Sequence, residues 1–297
     1  MGAGCGLHLF GQWVQHSHDS QAEGRVVCFD ALRQVFDPHV CQFVLTRSFC
    51  QLKLTDIASS SASWRHVMLK QIGLLCGVVA GPLFMLVLLI QGAVRDGYDP
   101  IRHAGSSLEL GSRLGWIQQA NFLLAGVLMI VFALALPGAL RERGRQPAWG
   151  SLLVALWGAG LIGAGVFLDD PVSGYPPGTP ALTVPPTLHG DLHGKISLVG
   201  FLALAVACFV FARRFAGWGE GRWARYSALS GILFSIGFVL FVAASLQVNG
   251  LVEVGGLIQR LTVGIGWLWL MLLAIHFIRM PGGLLRVGGN WAARQHP

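Results

Sequence analysis

Charged side chains are scarce in this sequence. Asp, Glu, Lys and Arg make up 12% of its 297 residues, against about 25% in an ordinary soluble protein. Hydrophobic residues make up 54% and stand in runs of roughly 20, the length that an α-helix needs to cross a hydrocarbon core. An ordinary soluble domain is therefore excluded. The runs also lack the alternation of a transmembrane β-strand, so the sequence predicts an all-α integral membrane protein.

The N-terminal part of the chain lacks any apolar run that could span a bilayer, and it lacks a signal-peptide arrangement. Its potential metal ligands also lack the close cysteine pair of a zinc finger; they are Cys5, His16, His18, Cys28, His39, Cys41 and Cys50. We interpret residues 1–67 as an N-terminal extension that is disordered or precedes the true start. Residues 68–282 are then the membrane domain, and residues 283–297 a cytoplasmic tail.

Six apolar segments predict a bundle of six transmembrane helices, because a helix satisfies its own backbone hydrogen bonds in lipid. Their approximate bounds are 71–94, 116–136, 149–168, 189–212, 226–247 and 257–278. We expect Pro82 to kink the first helix, and Pro137 with Gly138 to end the second. Small residues let membrane helices approach closely, and four of them crowd the third segment: Gly158, Gly160, Gly163 and Gly165.

Lys and Arg predict the orientation, because cytoplasmic loops carry more of them. Twelve fall on one side: Arg65, Lys70, Arg141, Arg143, Arg145, Arg213, Arg214, Arg222, Arg225, Arg279, Arg286 and Arg294. Five fall on the other: Arg95, Arg102, Arg113, Lys195 and Arg260. Both termini are therefore predicted to be cytoplasmic, in a bacterial inner membrane. This distribution accounts for the net charge of +7, so we expect membrane lipids and not nucleic acid as partners; a homo-oligomer or a membrane partner stays open.

The stretch between the third and fourth segments, residues 168–194, concentrates side chains that can do chemistry. Prolines and glycines fill its middle, which excludes a helix or a central strand there. Its polar members at the two ends are Asp169, Asp170, His189, Asp191 and His193. The loops after the first and fifth segments are predicted on the same, outer side, so we expect their polar residues to converge with these.

A zinc site is one interpretation of the histidines. His189 and His193 are four residues apart at the start of a helix, so both imidazoles can face one ion. His103 in the first outer loop would supply a third ligand, which leaves a fourth position for water. Zinc would lower the pKa of that water toward neutrality.

Carboxylates and hydroxyls of the same loops complete this hypothesis. Asp169 or Asp170 would ligate the ion, orient a histidine or act as general base. Ser106 or Ser107 would bind the water or be the nucleophile.

The competing interpretation is structural. The His189, Asp191 and His193 side chains would then cap the fourth helix and form hydrogen bonds with neighbouring loops. Asp169 and Asp170 would end the third helix at the water boundary. Arg260 is either an interfacial anchor or an anion contact.

Several motifs in a fixed order resemble one prokaryotic membrane family. They read GYDPIRHAGSSLELG, GAGVFLDDPVSGYPPGTP, TLHGDLHG and GLIQRL, and they resemble the family known as domain of unknown function 998 from about Gln71 to Arg279. The resemblance implies a multi-pass membrane fold. It implies no reaction, because no activity is established for that family.

A more remote similarity is to seven-helix membrane hydrolases such as alkaline ceramidases and adiponectin receptors. Those combine Ser, Asp and three His around zinc, roles that Ser106 or Ser107, Asp169 or Asp170, His103, His189 and His193 would take here. Two departures limit the similarity to an analogy. This chain has six predicted spans and not seven. Its HxxxH pair opens the fourth helix, whereas similarity to those hydrolases would place the pair in the last helix.

Two functions of different classes remain. The first is an outward-facing, metal-dependent hydrolase of a lipid-like ester or amide. The second is a non-enzymatic sensor or accessory subunit whose outer loops bind a partner. A transporter is disfavoured, because no charged residue lies in the middle of a predicted span.

Overall fold

The computed structural model describes residues 54–111, 113–141 and 148–280. The predicted extension before residue 54 and the predicted tail after residue 282 lie outside these ranges, as do four of the six cysteines. For residues 54–67 only the backbone is described.

Six long α-helices make up most of the described chain. They are α1 (Leu54–Val94), α2 (Gly115–Arg141), α3 (Trp149–Val166), α4 (Leu188–Gly217), α5 (Gly221–Ser245) and α6 (Gly255–Arg279). Two short 3-10 turns precede α2 and α6, at Ser106–Glu109 and Val252–Val254. All six helices contain a segment long and apolar enough to cross a membrane. The chain is therefore a multi-pass membrane protein with an all-α fold, as predicted.

Several helix bounds differ from the sequence-based expectation, and two of the differences have a local physical reason. Helix α1 begins at Leu54, before its apolar segment, because no Gly or Pro stands between residues 54 and 70 to end it. Helix α2 continues through Pro137 to Arg141, so the prediction that Pro137 ends it was wrong. Proline removes one backbone hydrogen bond, and burial of Leu136 and Leu140, 0% and 2% exposed, offsets that loss.

Neighbouring helices in the chain pack side by side from α2 to α6. Helix α1 lies against both ends of this series. Gly73 faces Ala135 of α2, and Gly81 faces Trp267 of α6. The six helices therefore form a closed bundle.

The glycines of α3 bring it close to two neighbours. Gly158 and Gly165 face backbone atoms of α2, and Gly160 faces the backbone of Gly200 in α4. A Cβ atom at Gly160 would lie 2.9 Å from the Gly200 Cα, closer than van der Waals contact allows. The close packing predicted from these small residues is confirmed.

Helix ends and loops alternate between the two ends of the bundle. The loops 95–114, 167–187 and 246–254 stand at one end, which we call the loop end. The described turn 218–220 stands at the opposite end. Between them the core is aromatic, with the Trp157 ring 5.8 Å from Trp267 and 5.3 Å from Phe201. Which end faces the cytoplasm stays a prediction.

Candidate functional site

Hydrogen bonds bring the three loops of the loop end together. Arg102 in the first loop donates from Nε to the Ser173 carbonyl of the second loop, 3.1 Å away. Its Nη1 forms an ion pair with Glu253 of the third loop, at 2.6 Å. Gln247 after α5 donates to Ser173 Oγ at 3.2 Å. The loops are thus a connected surface, and residues distant in sequence meet beneath it.

Arg260 holds the first loop to α6. Its buried Nη1 donates to the carbonyls of Pro100, His103 and Gly256, and its Nη2 to the Tyr98 hydroxyl. By donating to these carbonyl oxygens, the guanidinium links the backbone of the first loop to that of α6. The structure therefore gives Arg260 a structural role that neither alternative from the sequence described.

Asp169 is the centre of a small cluster at the start of the second loop. Its Oδ2 accepts a hydrogen bond from Ser106 Oγ at 2.8 Å. The same oxygen lies 3.9 Å from Nε2 of His193. His193 is 6% exposed, and its Nδ1 lies 2.7 Å from the Phe167 carbonyl oxygen. Because that oxygen can only accept, Nδ1 carries the hydrogen and Nε2 turns toward Asp169.

The structure therefore brings together three of the residues selected from the sequence: Ser106, Asp169 and His193. We call them the Ser–Asp–His cluster. The carboxylate stands between the hydroxyl and the imidazole, so the order differs from the relay of a serine protease, where the imidazole is central.

Glu109 adds a second carboxyl group next to this cluster, on the same 3-10 turn as Ser106. It is 5% exposed, and neither carboxyl oxygen makes a well-formed hydrogen bond within the described part of the chain. The pKa of Glu109 is raised to about 9, first by burial and then by the nearby Asp169 charge, against the backbone amide of Asp169, which lowers it. Glu109 is therefore protonated at neutral pH.

The other members of the second loop organise the start of α4. Asp170 accepts from the Thr187 amide at 2.8 Å and from the Thr187 hydroxyl at 2.7 Å. Thr187 in turn accepts from the Gly190 amide, which is the N-cap arrangement of a helix. Asp191 forms an exposed ion pair with Lys195 at 2.7 Å. The structural interpretation assigned the cap to His189, Asp191 and His193. Thr187 forms it instead, held in place by Asp170.

His103 lies in different surroundings from His193. Its Nδ1 accepts from the Asp99 amide at 2.9 Å, and its ring packs 5.5 Å from Tyr98 and 5.2 Å from Tyr175. Burial lowers the pKa of His103, against the Asp99 charge, which raises it. The imidazole is therefore a neutral structural acceptor in the first loop.

The three histidines do not meet as a zinc site requires. Among the residues that the structure describes, no group of three or more His, Cys, Asp or Glu is arranged to hold a metal ion. His189 is exposed, with its ring 5.8 Å from Phe167, and the Nδ1 atoms of His103 and His193 are engaged with backbone groups. The residues present do not fit a three-histidine zinc centre, and zinc keeps the status of a prediction. Ser107 is fully buried, and its Oγ has no partner in the described chain.

A pocket of about 490 Å³ opens beside the cluster. Ser106, Asp169 and His193 line its loop end. Its deeper walls are aromatic and aliphatic: Phe84, Leu88, Phe122, Trp157, Leu161, Phe201, Phe238 and Phe241. The pocket is thus polar at one end and apolar along its length, which suits a molecule with a polar group and a hydrocarbon chain.

Sequence reasoning missed three contributors to this site. Glu109 was not selected, although its place three residues after Ser106 was a usable signal. Thr187 precedes an apolar run, as N-caps do. Gln118, fully buried and lining the pocket, looked like any polar residue of a span.

Comparison with known proteins gives a family and no activity. The chain matches the family model described as "Protein of unknown function (DUF998)" over residues 78–276. This match covers more than half of the chain, so the chain belongs to that family, and the resemblance seen in its motifs is confirmed. No curated protein and no solved structure matches it significantly.

Proposed function

We propose that this member of the family binds a lipid-like amphiphile in the pocket and hydrolyses an ester or amide bond in it at the Ser–Asp–His cluster. One observation carries the proposal. A single oxygen, Asp169 Oδ2, faces both the Ser106 hydroxyl and the His193 imidazole at the polar end of an otherwise apolar pocket.

The geometry assigns a base to this reaction. Asp169 already accepts the hydrogen of Ser106 Oγ, so it can take that proton, or the proton of a water in the same place, as the oxygen attacks the substrate carbonyl carbon. The C–O bond to the attacking oxygen forms, the bond to the leaving group breaks, and the leaving group takes up the proton. Where Ser106 is the nucleophile, a water then attacks the acyl-Ser106 ester, Asp169 takes its proton, and Ser106 Oγ leaves with that proton. His193 Nε2 lies beside this carboxylate and carries no hydrogen in this tautomer, so it is placed to accept a hydrogen bond from Asp169 once Asp169 has taken the proton.

The pocket also explains the substrate class. Its apolar walls bury a hydrocarbon chain, which contributes roughly 0.8 kcal/mol for each CH₂ group removed from water. An acyl chain anchored there places its carbonyl group at the loop end.

In the predicted orientation the loop end faces outward from a bacterial inner membrane. A reporter fused after Arg279 should then be active only in the cytoplasm.

The experiment measures turnover in lipid nanodiscs with p-nitrophenyl esters of acyl chains from acetate to palmitate. Wild type should prefer the longer chains, and Asp169→Asn should lose activity by a factor of 10² or more. Asp96→Asn is the matched control, because Asp96 is exposed and does not line the pocket. Equal rates for wild type and Asp169→Asn on every ester would overturn the proposal.

A non-enzymatic sensor that binds the same kind of amphiphile is the second candidate. The distance of 3.9 Å between His193 and Asp169 favours it, because this exceeds a hydrogen bond and leaves the pair unconnected. Saturable binding of a long-chain ester without any turnover would select the sensor.

A further inference from the structure

The buried amide of Gln118 lies on the pocket wall, on the first half of α2. The residue is 0% exposed. It lines the pocket together with Ser106, Asp169 and His193. Gln118 has no part in the Ser–Asp–His cluster. A buried amide in a membrane span needs hydrogen-bond partners, because no water is there to replace them.

The orientation of this amide is fixed by its neighbours. Gln118 Oε1 accepts from Gln91 Nε2 at 2.8 Å and from Asn121 Nδ2 at 3.4 Å. Two amino groups that point at one atom identify that atom as the oxygen. The NH₂ group of Gln118 is therefore turned the other way, and its nitrogen has no hydrogen-bond partner in the described chain.

The hydrogen bonds behind Gln118 all run in one direction. Arg95 Nη2 donates to Gln91 Oε1 at 3.2 Å, and Gln91 donates to Gln118. Each donor in such a chain polarises the next one, and the chain here starts from a positive charge. Its last member, the Gln118 NH₂ group, is consequently a strengthened donor without an acceptor. An unpaired buried donor destabilises the fold, and an acceptor on a ligand would remove that cost.

We propose that the Gln118 NH₂ group holds the carbonyl oxygen of an uncharged acyl ligand, an ester or an amide, in the pocket. This rests on the proposed function for the identity of the ligand. It adds the residue that recognises the carbonyl group. Gln118 brings no charge, and Asp169 in the same pocket repels an anion. The two cations that line the pocket are engaged, Arg260 with backbone carbonyls and Lys195 with Asp191. A neutral carbonyl therefore fits better than a free carboxylate.

The test uses methyl decanoate carrying ¹³C in its carbonyl group, with protein in detergent and in the Asp169→Asn background, so that no ester is consumed. Infrared spectra should show a bound carbonyl band shifted to lower frequency by the hydrogen bond. Gln118→Leu should abolish the shift and weaken binding of methyl decanoate roughly five- to tenfold, the worth of one hydrogen bond. Binding of undecane, which has no acceptor, should stay the same.

Gln119→Leu is the matched control, because Gln119 is the next residue of α2, is half-buried and does not line the pocket. It should keep the shifted band. Gln91→Leu removes the donor behind Gln118 without touching the pocket, and it should reduce the shift without abolishing it. This variant keeps the proposal testable if Gln118→Leu fails to fold.

Two results would overturn the inference: an unshifted carbonyl band in the protein that retains Gln118, or equal binding of methyl decanoate by Gln118→Leu and by its Asp169→Asn parent. The proposed function fails separately. A shifted band in Asp169→Asn, together with no ester turnover by wild type, would leave the Gln118 contact in place and remove the hydrolase. Turnover with an unshifted band would do the reverse.

Discussion

Two histidine–carboxylate pairs stand at opposite ends of this bundle, and their surroundings differ. At the loop end, His193 Nε2 lies 3.9 Å from Asp169 Oδ2, and both residues line the pocket. At the opposite end, His276 Nε2 lies 2.9 Å from Glu220 Oε2. The rings of Phe215, Trp223 and Phe277 surround the His276 ring, at 5.2, 4.3 and 5.8 Å.

The comparison separates a pair that stabilises from a pair that can react. The Glu220–His276 pair is in direct contact and covered by aromatic rings, so it fixes the start of α5 against the end of α6. The Asp169–His193 pair is no more exposed, but both of its residues line the pocket, and its carboxylate already receives a hydroxyl hydrogen from Ser106. The residue types alone do not distinguish the two; contact distance and access to the pocket do.

The strongest test of this difference between the two pairs is to replace each histidine by glutamine and measure ester turnover. His193→Gln should lower the rate about 10²-fold, because proton-transfer and charge-stabilising groups contribute on this scale. His276→Gln should leave the rate within about twofold of wild type, once corrected for folded protein. If the two variants lost activity equally, the pairs would not differ in function.

The His276 side chain should matter for the stability of the folded protein and not for turnover. His276→Ala removes a packed ring and leaves Glu220 without this partner, which we expect to cost about 3 kcal/mol. Thermal unfolding in detergent, followed by tryptophan fluorescence, measures it. His189→Ala is the control, because His189 is exposed and its loss should stay within about 0.5 kcal/mol. A melting temperature unchanged by His276→Ala would contradict a structural role.

The dependence of stability on pH sharpens the view of the loop end, with a change per pH unit that is smaller than either effect above. The folded protein keeps the Glu109 proton up to about pH 9, whereas the unfolded chain loses it near the ordinary value of 4.5. Between these values the folded state binds one proton more, so stability falls as pH rises, by at most about 1.4 kcal/mol per pH unit. Glu109→Gln should remove this slope and be more stable than wild type at pH 8.

The exposed Glu253 provides the control for the pH measurement. Its side chain is 62% exposed, so Glu253→Gln should leave the slope unchanged. A Glu109→Gln variant whose stability follows the same pH curve as wild type would show that Glu109 is not held protonated in the fold.

The selection of site residues shows what a single sequence allows. Ser106, Asp169 and His193 were selected as members of a hypothetical zinc site, because hydroxyl, carboxylate and imidazole groups stood in loops predicted on one side of the membrane. His103 met the same criterion, yet it packs between two tyrosines in the first loop. Which candidate faces the pocket depends on loop conformation, and a sequence does not contain that information in local form.

Gln118 and Glu109 show the complementary limit. A polar residue inside a span or on a short turn has many ordinary uses, so its type carries little information. Only the directions of neighbouring hydrogen bonds make the Gln118 NH₂ group an unpaired donor, and only the burial of Glu109 makes it a protonated acid.

The sequence by itself determined the membrane class, the six spans, the close packing of α3 and the family, because hydropathy, small-residue patterns and motif order are properties of contiguous segments. It did not determine that Pro137 stays within α2, that Thr187 and Asp170 cap α4, or which histidine joins Asp169. Those outcomes were decided by the tertiary structure. Such outcomes depend on contacts between distant segments, as between Ser106 and Asp169, which are 63 residues apart. They also depend on whether packing offsets the local cost of a proline or a buried charge.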